Sequence, residues 1–138
     1  MTVKGLLIWF TCILALSFYS RWHVFVARAD RCSLDGNRIV PVHQVDLMVD
    51  GQVKERFCCV KCAREWPNVP VDATWRVRDE ISGEPLDATI ACFVQSSAVT
   101  VTSRQDRVHA FKNWTDAMSH ISEYGGARIP CPFQGNRP

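Results

Sequence analysis

Val45-Asp46-Leu47-Met48-Val49-Asp50-Gly51-Gln52-Val53-Lys54-Glu55-Arg56-Phe57 is the stretch whose reading decides the fold. Val45, Leu47 and Val49 alternate with Asp46 and Met48, the period-two pattern of a half-buried strand. Asp50-Gly51 is a two-residue turn signal, because the tight turns that match strand twist need residues tolerant of positive φ. Val53, Glu55 and Phe57 alternate on the way back, so the stretch predicts an antiparallel hairpin. A short helix is expected over Cys58–Trp66, stopped by Pro67 and then Pro70.

A second passage of similar grammar follows. Trp75, Val77, Asp79 and Ile81 alternate with Arg76, Arg78 and Glu80, and Ser82-Gly83-Glu84-Pro85 turns the chain. Ala88 to Val94 reads as a central strand, with short strands at Val99–Thr102 and Val108–Phe111. Asn113 caps a helix whose apolar face is Trp114, Ala117, Met118 and Ile121, and Gly125-Gly126 ends it. Pro130 to Pro138 reads as an extended, partly loose tail. The expectation is an α+β protein: two ββα-like units in one small domain, after an N-terminal hydrophobic helix.

With 138 residues, 47% hydrophobic and 22% charged, the chain has room for one ordinary domain and is not a disordered sequence. Its net charge of +2 comes from the N-terminus. With Lys4, Arg21 and Arg28 set aside, residues 30–138 carry 13 basic and 14 acidic side chains, which argues against a nucleic-acid partner. Seven Cys and five Trp are what stand out.

Residues 1–29 read as a signal or membrane-anchor segment, leaving 30–138 as the folded domain. Leu6 to Tyr19 is an apolar run broken only by Thr11, Cys12 and Ser17. Val24-Phe25-Val26 resumes it after Arg21 and His23, and Ala27-Arg28-Ala29 offers an Ala-x-Ala cleavage pattern. The segment is either a signal cut after Ala29 or an uncleaved transmembrane anchor over roughly Gly5–Val26, with Arg21 snorkelling to the interface.

The chemistry sits in the cysteines. Cys58 and Cys62 are four residues apart, on one face of the expected helix with Cβ atoms roughly 6 Å apart; Cys59 and Cys62 are three apart. Thiolates reach zinc at about 2.3 Å, so either pair could grip one ion. Cys32, before the hairpin, could fold back as a third sulfur. Candidate metal ligands are therefore Cys32, Cys58 and Cys62, with Cys59, His43 or Asp35 as the fourth. Cys92, within Thr89-Ile90-Ala91-Cys92-Phe93-Val94, reads as a packed core thiol, and His109 and His120 as surface or packing residues. Cys131 between two prolines has no assigned role. Six cysteines after Cys12 also fit three disulfides, and the same thiolates could hold a purely structural zinc. No phosphate loop, His-Glu-x-x-His pair or nucleophile elbow is present, so no enzyme is expected.

Val77-Arg78-Asp79-Glu80-Ile81-Ser82-Gly83-Glu84-Pro85-Leu86-Asp87-Ala88, Ala91-Cys92-Phe93-Val94, His109-Ala110-Phe111-Lys112-Asn113 and Tyr124-Gly125-Gly126 together resemble the nitrous-oxide reductase accessory protein (NosL-like) family. The resemblance spans roughly residues 30–130. It implies an extracytoplasmic copper chaperone that serves a client metalloenzyme. Cys32 to Trp66, with Cys58-Cys59-Val60-Lys61-Cys62, is similar to the small cysteine-rich module of metal sensing and trafficking called TRASH. Where the family opens with Cys-x-x-Cys-Gly-Met, this chain has Cys32-Ser33-Leu34-Asp35-Gly36-Asn37. Where the family has Thr-Pro-Met, it has Val99-Thr100-Val101-Thr102. Thiolates of the added Cys58-Cys59-x-x-Cys62 group stand in for the missing thioethers; they suit Cu(I) and also Zn(II). The expectation is thus a membrane-tethered or exported, periplasmic copper accessory factor with a client or metal-transfer partner. A non-catalytic interaction domain stapled by zinc or disulfides is the alternative.

Overall fold

The computed structural model describes residues 3–134. The chain divides between Asp30 and Arg31 into two compact units. The first is the helix α1, Val3–Ala29. Ile8, Trp9 and Phe10 on it are exposed, as are Phe18 and Trp22. The hydroxyls of Thr11 and Ser20 donate back to the carbonyls of Ile8 and Ser17. Among the described residues no helix is long and apolar enough to cross a membrane. The transmembrane expectation is therefore corrected. Arg21 and His23 lie inside the helix, not beyond its end, and break the apolar run there.

The second unit holds two antiparallel sheets and two helices. Strands β1 (Val45–Val49) and β2 (Gln52–Phe57) form the expected hairpin, with Asp50 at φ 51° and Gly51 at φ 72° in the turn. The register slips between Leu47 and Met48, so Lys54 is an extra residue on the return strand. α2 follows at Val60–Arg64, then β3 (Thr74–Arg78) and β4 (Pro85–Asp87), giving a sheet of order β2-β1-β3-β4. β5 (Cys92–Ser96), β6 (Val108–Phe111), the helix α3 (Trp114–Tyr124) and β7 (Gly126–Ile129) complete the chain, with sheet order β6-β5-β7. The two ββα units are β1-β2-α2 and β5-β6-α3. The first sheet is extended by β3–β4 and the second by β7.

Side-chain alternation on β5 sorts the core into two layers. Phe93 joins Val45, Leu47, Phe57, Val77 and the buried thiols in the larger cluster. Its neighbours Cys92 and Val94 point the other way and meet Phe111, Ala117 and Ile121 beneath α3. Cys92 is thus a core thiol remote from the other sulfurs' layer, and burial raises its pKa.

Several elements differ from expectation for identifiable reasons. The Ala88–Val94 run starts its strand only at Cys92, because the Asp87 carboxylate and carbonyl hold Thr89, Ile90 and Ala91 in a turn. Val99–Thr102 contributes a single bridge, Val101 to Asp106, and then a 3₁₀ turn at Thr102–Arg104. β7 has little apolar character to announce it. It forms because Gly126, at φ 120°, lets the backbone lie against β5; a Cβ there would stand 2.6 Å from Ser96 Cα. The tail is not loose where it is described. Phe133 stacks on Trp75 at 4.7 Å between centroids, and Cys131 packs on the core. Its last residues, 135–138, lie outside the described residues. On α3, Trp114 and Met118 are exposed and Arg128 lies 3.9 Å over the Trp114 ring. His120 takes the inward position that Met118 was expected to hold, packing on Phe111.

Asp79, read above as a strand residue, is 2% exposed and fastens the two sheets. Its carboxylate accepts the Ser82 hydroxyl and N–H on its own turn and the Lys112 N–H across from β6. Burial alone would raise its pKa, but these donors hold it below the ordinary value. A depressed carboxylate pKa stabilises the fold above the unfolded value of about 3.9, and that contribution is lost as pH falls through the folded pKa. Asp79→Asn is expected to flatten the acid limb of stability in urea melts taken between about pH 6 and pH 3. An unchanged acid slope would remove Asp79 from this role.

Candidate metal centre

Cys32 opens the domain in a loop pinned by its own backbone. Cys32 N–H donates to the Asn37 carbonyl, and Gly36 N–H donates to the Cys32 carbonyl. Gly36 turns that loop at φ 71°, a conformation that favours glycine. Asp35 Oδ1 accepts the Asn37 N–H at 3.0 Å, which fixes the carboxylate beside the cysteine. The loop is tied to the hairpin by Ser33 N–H, donating to the Arg56 carbonyl at 2.7 Å. Cys32 and Asp35 are thereby carried to the end of β2, where Cys58 and Cys59 begin.

The sequence expectation placed Cys58 on the helix with Cys62. Instead, Cys59 is the extended N-cap residue of α2 and Cys58 precedes it. The sharp entry into the helix still brings Cys58 Sγ to 3.6 Å from Cys62 Sγ. Cys62 Sγ stands 3.3 Å from Asp35 Oδ2, and Cys58 Sγ 3.9 Å from the same oxygen. One donor atom from each of Cys32, Asp35, Cys58 and Cys62 lies within 4.8 Å of all the others. Cys59 Sγ is 3.8 Å from Cys58 Sγ but lies outside that group of four. His43 is elsewhere: it follows Pro41 on a 3₁₀ turn and packs edge-on against His109.

Burial and charge prepare these groups unequally. Cys32, Cys58 and Cys62 are 3%, 0% and 0% exposed, whereas Asp35 is an exposed residue that keeps 17% of its side chain open. A hydrogen bond from the Cys62 thiol, working against burial and helped by backbone N–H groups, brings Cys32 down to about 6. Cys62 is pushed up, because its proton is held between the Cys32 and Cys59 sulfurs and because it is buried. Burial and the neighbouring Cys59 charge likewise push Cys58 up. Asp35 lies below its ordinary value: partial burial opposes this, but the Asn37 N–H and the Cys32 and Cys62 thiols outweigh it. Arg104 adds a cation at the rim, with Nε 3.7 Å from Asp35 Oδ2 and a direct pair to Glu65. One thiolate, one carboxylate, two thiols that give up their protons only to an incoming ion and a balancing guanidinium form a donor set for a thiophilic cation.

No protein-family model matches this chain, and no curated protein matches it. A solved structure does: the copper chaperone NosL from Shewanella denitrificans, at a TM-score of 0.60 and 21% identity, over 72% of this chain and 85% of that one. The two share a fold. The resemblance read from Val77 to Gly126 thus has a counterpart in three dimensions. At this identity NosL supplies the architecture, while the cysteine cluster is argued from the residues of this chain.

Spacing alone singles out three of the four clustered donors, all sulfurs, and leaves Asp35 as one of several candidates for the fourth. The signal that favours Asp35 is local: an Asp-Gly-Asn turn three residues after a cysteine curls its carboxylate back over that cysteine.

Proposed function

We propose that this protein is an exported copper-handling accessory factor. Its thiolates Cys32, Cys58 and Cys62 hold one Cu(I), with Asp35 and Cys59 as the adjacent donors, and pass it to a client metalloenzyme. The observation that carries the reading is the convergence of three buried sulfurs on one point, at the end of a hairpin, in a fold shared with a copper chaperone. Three thiolates suit a soft monovalent ion. Asp35 and Arg104, the partly exposed groups of the site, mark the side from which a partner's sulfur can reach the ion, so that it moves by ligand exchange without a free aqueous ion. The segment 1–29 directs the domain out of the cytoplasm in this reading, and no chemical step is assigned to the protein.

One feature favours a second occupant. A carboxylate beside three sulfurs completes a four-donor set for Zn(II), which would make the site a structural staple. Titrating the reduced, full-length protein anaerobically with Cu(I) against a chromophoric chelator separates the two. The expected result is one tight equivalent that displaces pre-bound Zn(II). Retention of Zn(II) against excess Cu(I) favours the staple. Alkylation mass spectrometry that finds three intact disulfides in protein from its native compartment overturns the thiolate site altogether.

A further inference from the structure

We propose that Glu80, His109 and His120 form a second metal site, built from nitrogen and oxygen donors for a divalent ion such as Zn2+ and sharing no residue with the cysteine cluster. A Glu80 oxygen and one ring nitrogen of each histidine lie within 4.8 Å of one another. His109 Nδ1 stands 2.6 Å and 2.8 Å from the two Glu80 oxygens, and the His109 and His120 rings are 4.3 Å apart between centroids. Donors around one zinc ion are separated by about 3.3 Å when each bond is near 2.05 Å, so small side-chain rotations close this set on an ion.

Three different elements deliver these groups. Glu80 follows β3 and is placed by its own N–H, which donates to the Ala110 carbonyl of β6. His109 lies on β6 and His120 on α3. His109 turns Nδ1 to Glu80 while its other nitrogen is engaged, and His120 has one ring nitrogen engaged as well. His109 Nε2 bonds the Ala98 carbonyl at 3.2 Å, and His120 Nε2 pairs with Ser96 Oγ at 2.9 Å. Metal-binding imidazoles are oriented in this way, with the second nitrogen held by a carbonyl or hydroxyl so that the first faces the ion. An ion here takes the place of the proton that His109 Nδ1 shares with Glu80. Without sulfur in the set, borderline divalent ions are preferred over Cu(I). His43, whose ring centroid is 6.4 Å from that of His109, is the nearest further imidazole. The site therefore gives a role to two of the three histidines of the folded unit, which the cysteine cluster leaves unused.

The test is a Zn2+ titration of the reduced full chain, read by the side-chain nitrogen resonances of its histidines, which report this site whatever the thiols do. His109 and His120 are expected to shift together to metal-bound values, and the shift to saturate with added ion. Glu80→Gln, which keeps the shape and a hydrogen-bond acceptor, is expected to weaken that step about tenfold or more while circular dichroism stays unchanged. His120→Ala is expected to abolish it. Rings that stay unshifted in excess Zn2+ overturn the site. So does a Glu80→Gln protein that melts earlier yet binds Zn2+ as before, since the three groups would then be an ion pair and its packing partner.

Discussion

Serine in place of Cys62 is expected to lower Cu(I) affinity about a thousandfold, which corresponds to roughly 4 kcal/mol. Structural zinc sites draw about 10–16 kcal/mol from four ligands, so a single thiolate accounts for about that much. Cys62 is the sulfur with most to lose. It is within 3.6 Å of Cys58 Sγ and 3.3 Å of Asp35 Oδ2, and its hydrogen bond is the largest influence holding Cys32 at about 6. A serine hydroxyl stays protonated at neutral pH and offers a hard oxygen, so it does not ligate a soft ion. Cys58→Ser is expected to follow closely, and Cys59→Ser to lose less, because its sulfur lies outside the group of four. Cys92→Ala is the control: Cys92 packs beneath α3 with Val94, Phe111 and Ala117, and its loss is expected to leave affinity within about twofold while lowering stability. Competition with a chromophoric Cu(I) chelator under anaerobic conditions measures all four. A Cys62→Ser protein that binds within about threefold of wild type would remove Cys62 from the site.

How far the site could be read from the chain depends on which contacts are local. The hairpin at Val45–Phe57 is written in short-range signals, the alternation and Asp50-Gly51, and the structure follows them residue by residue. Helix α3 is equally local at its start, where Asn113 Oδ1 accepts the Asp116 N–H as its cap. What the sequence did not reveal is what only the assembled sheets decide. Asp46 alternates as a solvent-facing residue should, yet it is 1% exposed, because Arg76 and Gln44 close over it. His120 sits at helical spacing as an ordinary polar residue, and turns inward only because Phe111 and His109 on β6 leave room for its ring. β7 has no pattern to read, since its pairing depends on a glycine's close approach to β5. The cysteine cluster lies between these cases. Spacing brought Cys58 and Cys62 together in expectation by a helical turn, whereas the protein joins them through an extended N-cap; the distance was legible and the route was not.

That N-cap depends on a residue far along the chain, and the second large effect follows from it. Asp106→Ala is expected to destabilise the domain by about 3 kcal/mol, a fall of roughly 15 °C in Tm for a unit of this size. Asp106 is 4% exposed, and its carboxylate accepts three backbone N–H groups. Oδ2 takes Lys61 N–H at 2.9 Å in the first turn of α2, while Oδ1 takes Arg107 and Val108 N–H at 2.8 and 3.2 Å. Cys59 caps α2 without any side-chain hydrogen bond of its own, so Asp106 does from 45 residues away what a Ser or Asp cap ordinarily does from within. Alanine leaves three backbone donors without their acceptor at once, and charged hydrogen bonds of this kind are worth about 1.5–3 kcal/mol each before water and the backbone compensate. Because the same first turn positions Cys62 against Cys58 and Asp35, the variant is also expected to bind Cu(I) more weakly at a temperature where it is still folded. Asp106→Asn keeps one carbonyl acceptor and should lose about half as much stability. Thermal melts of the three proteins, with Cu(I) affinities measured well below each midpoint, check both parts. A shift under about 3 °C in Asp106→Ala would mean that α2 and its cysteines are held by packing alone.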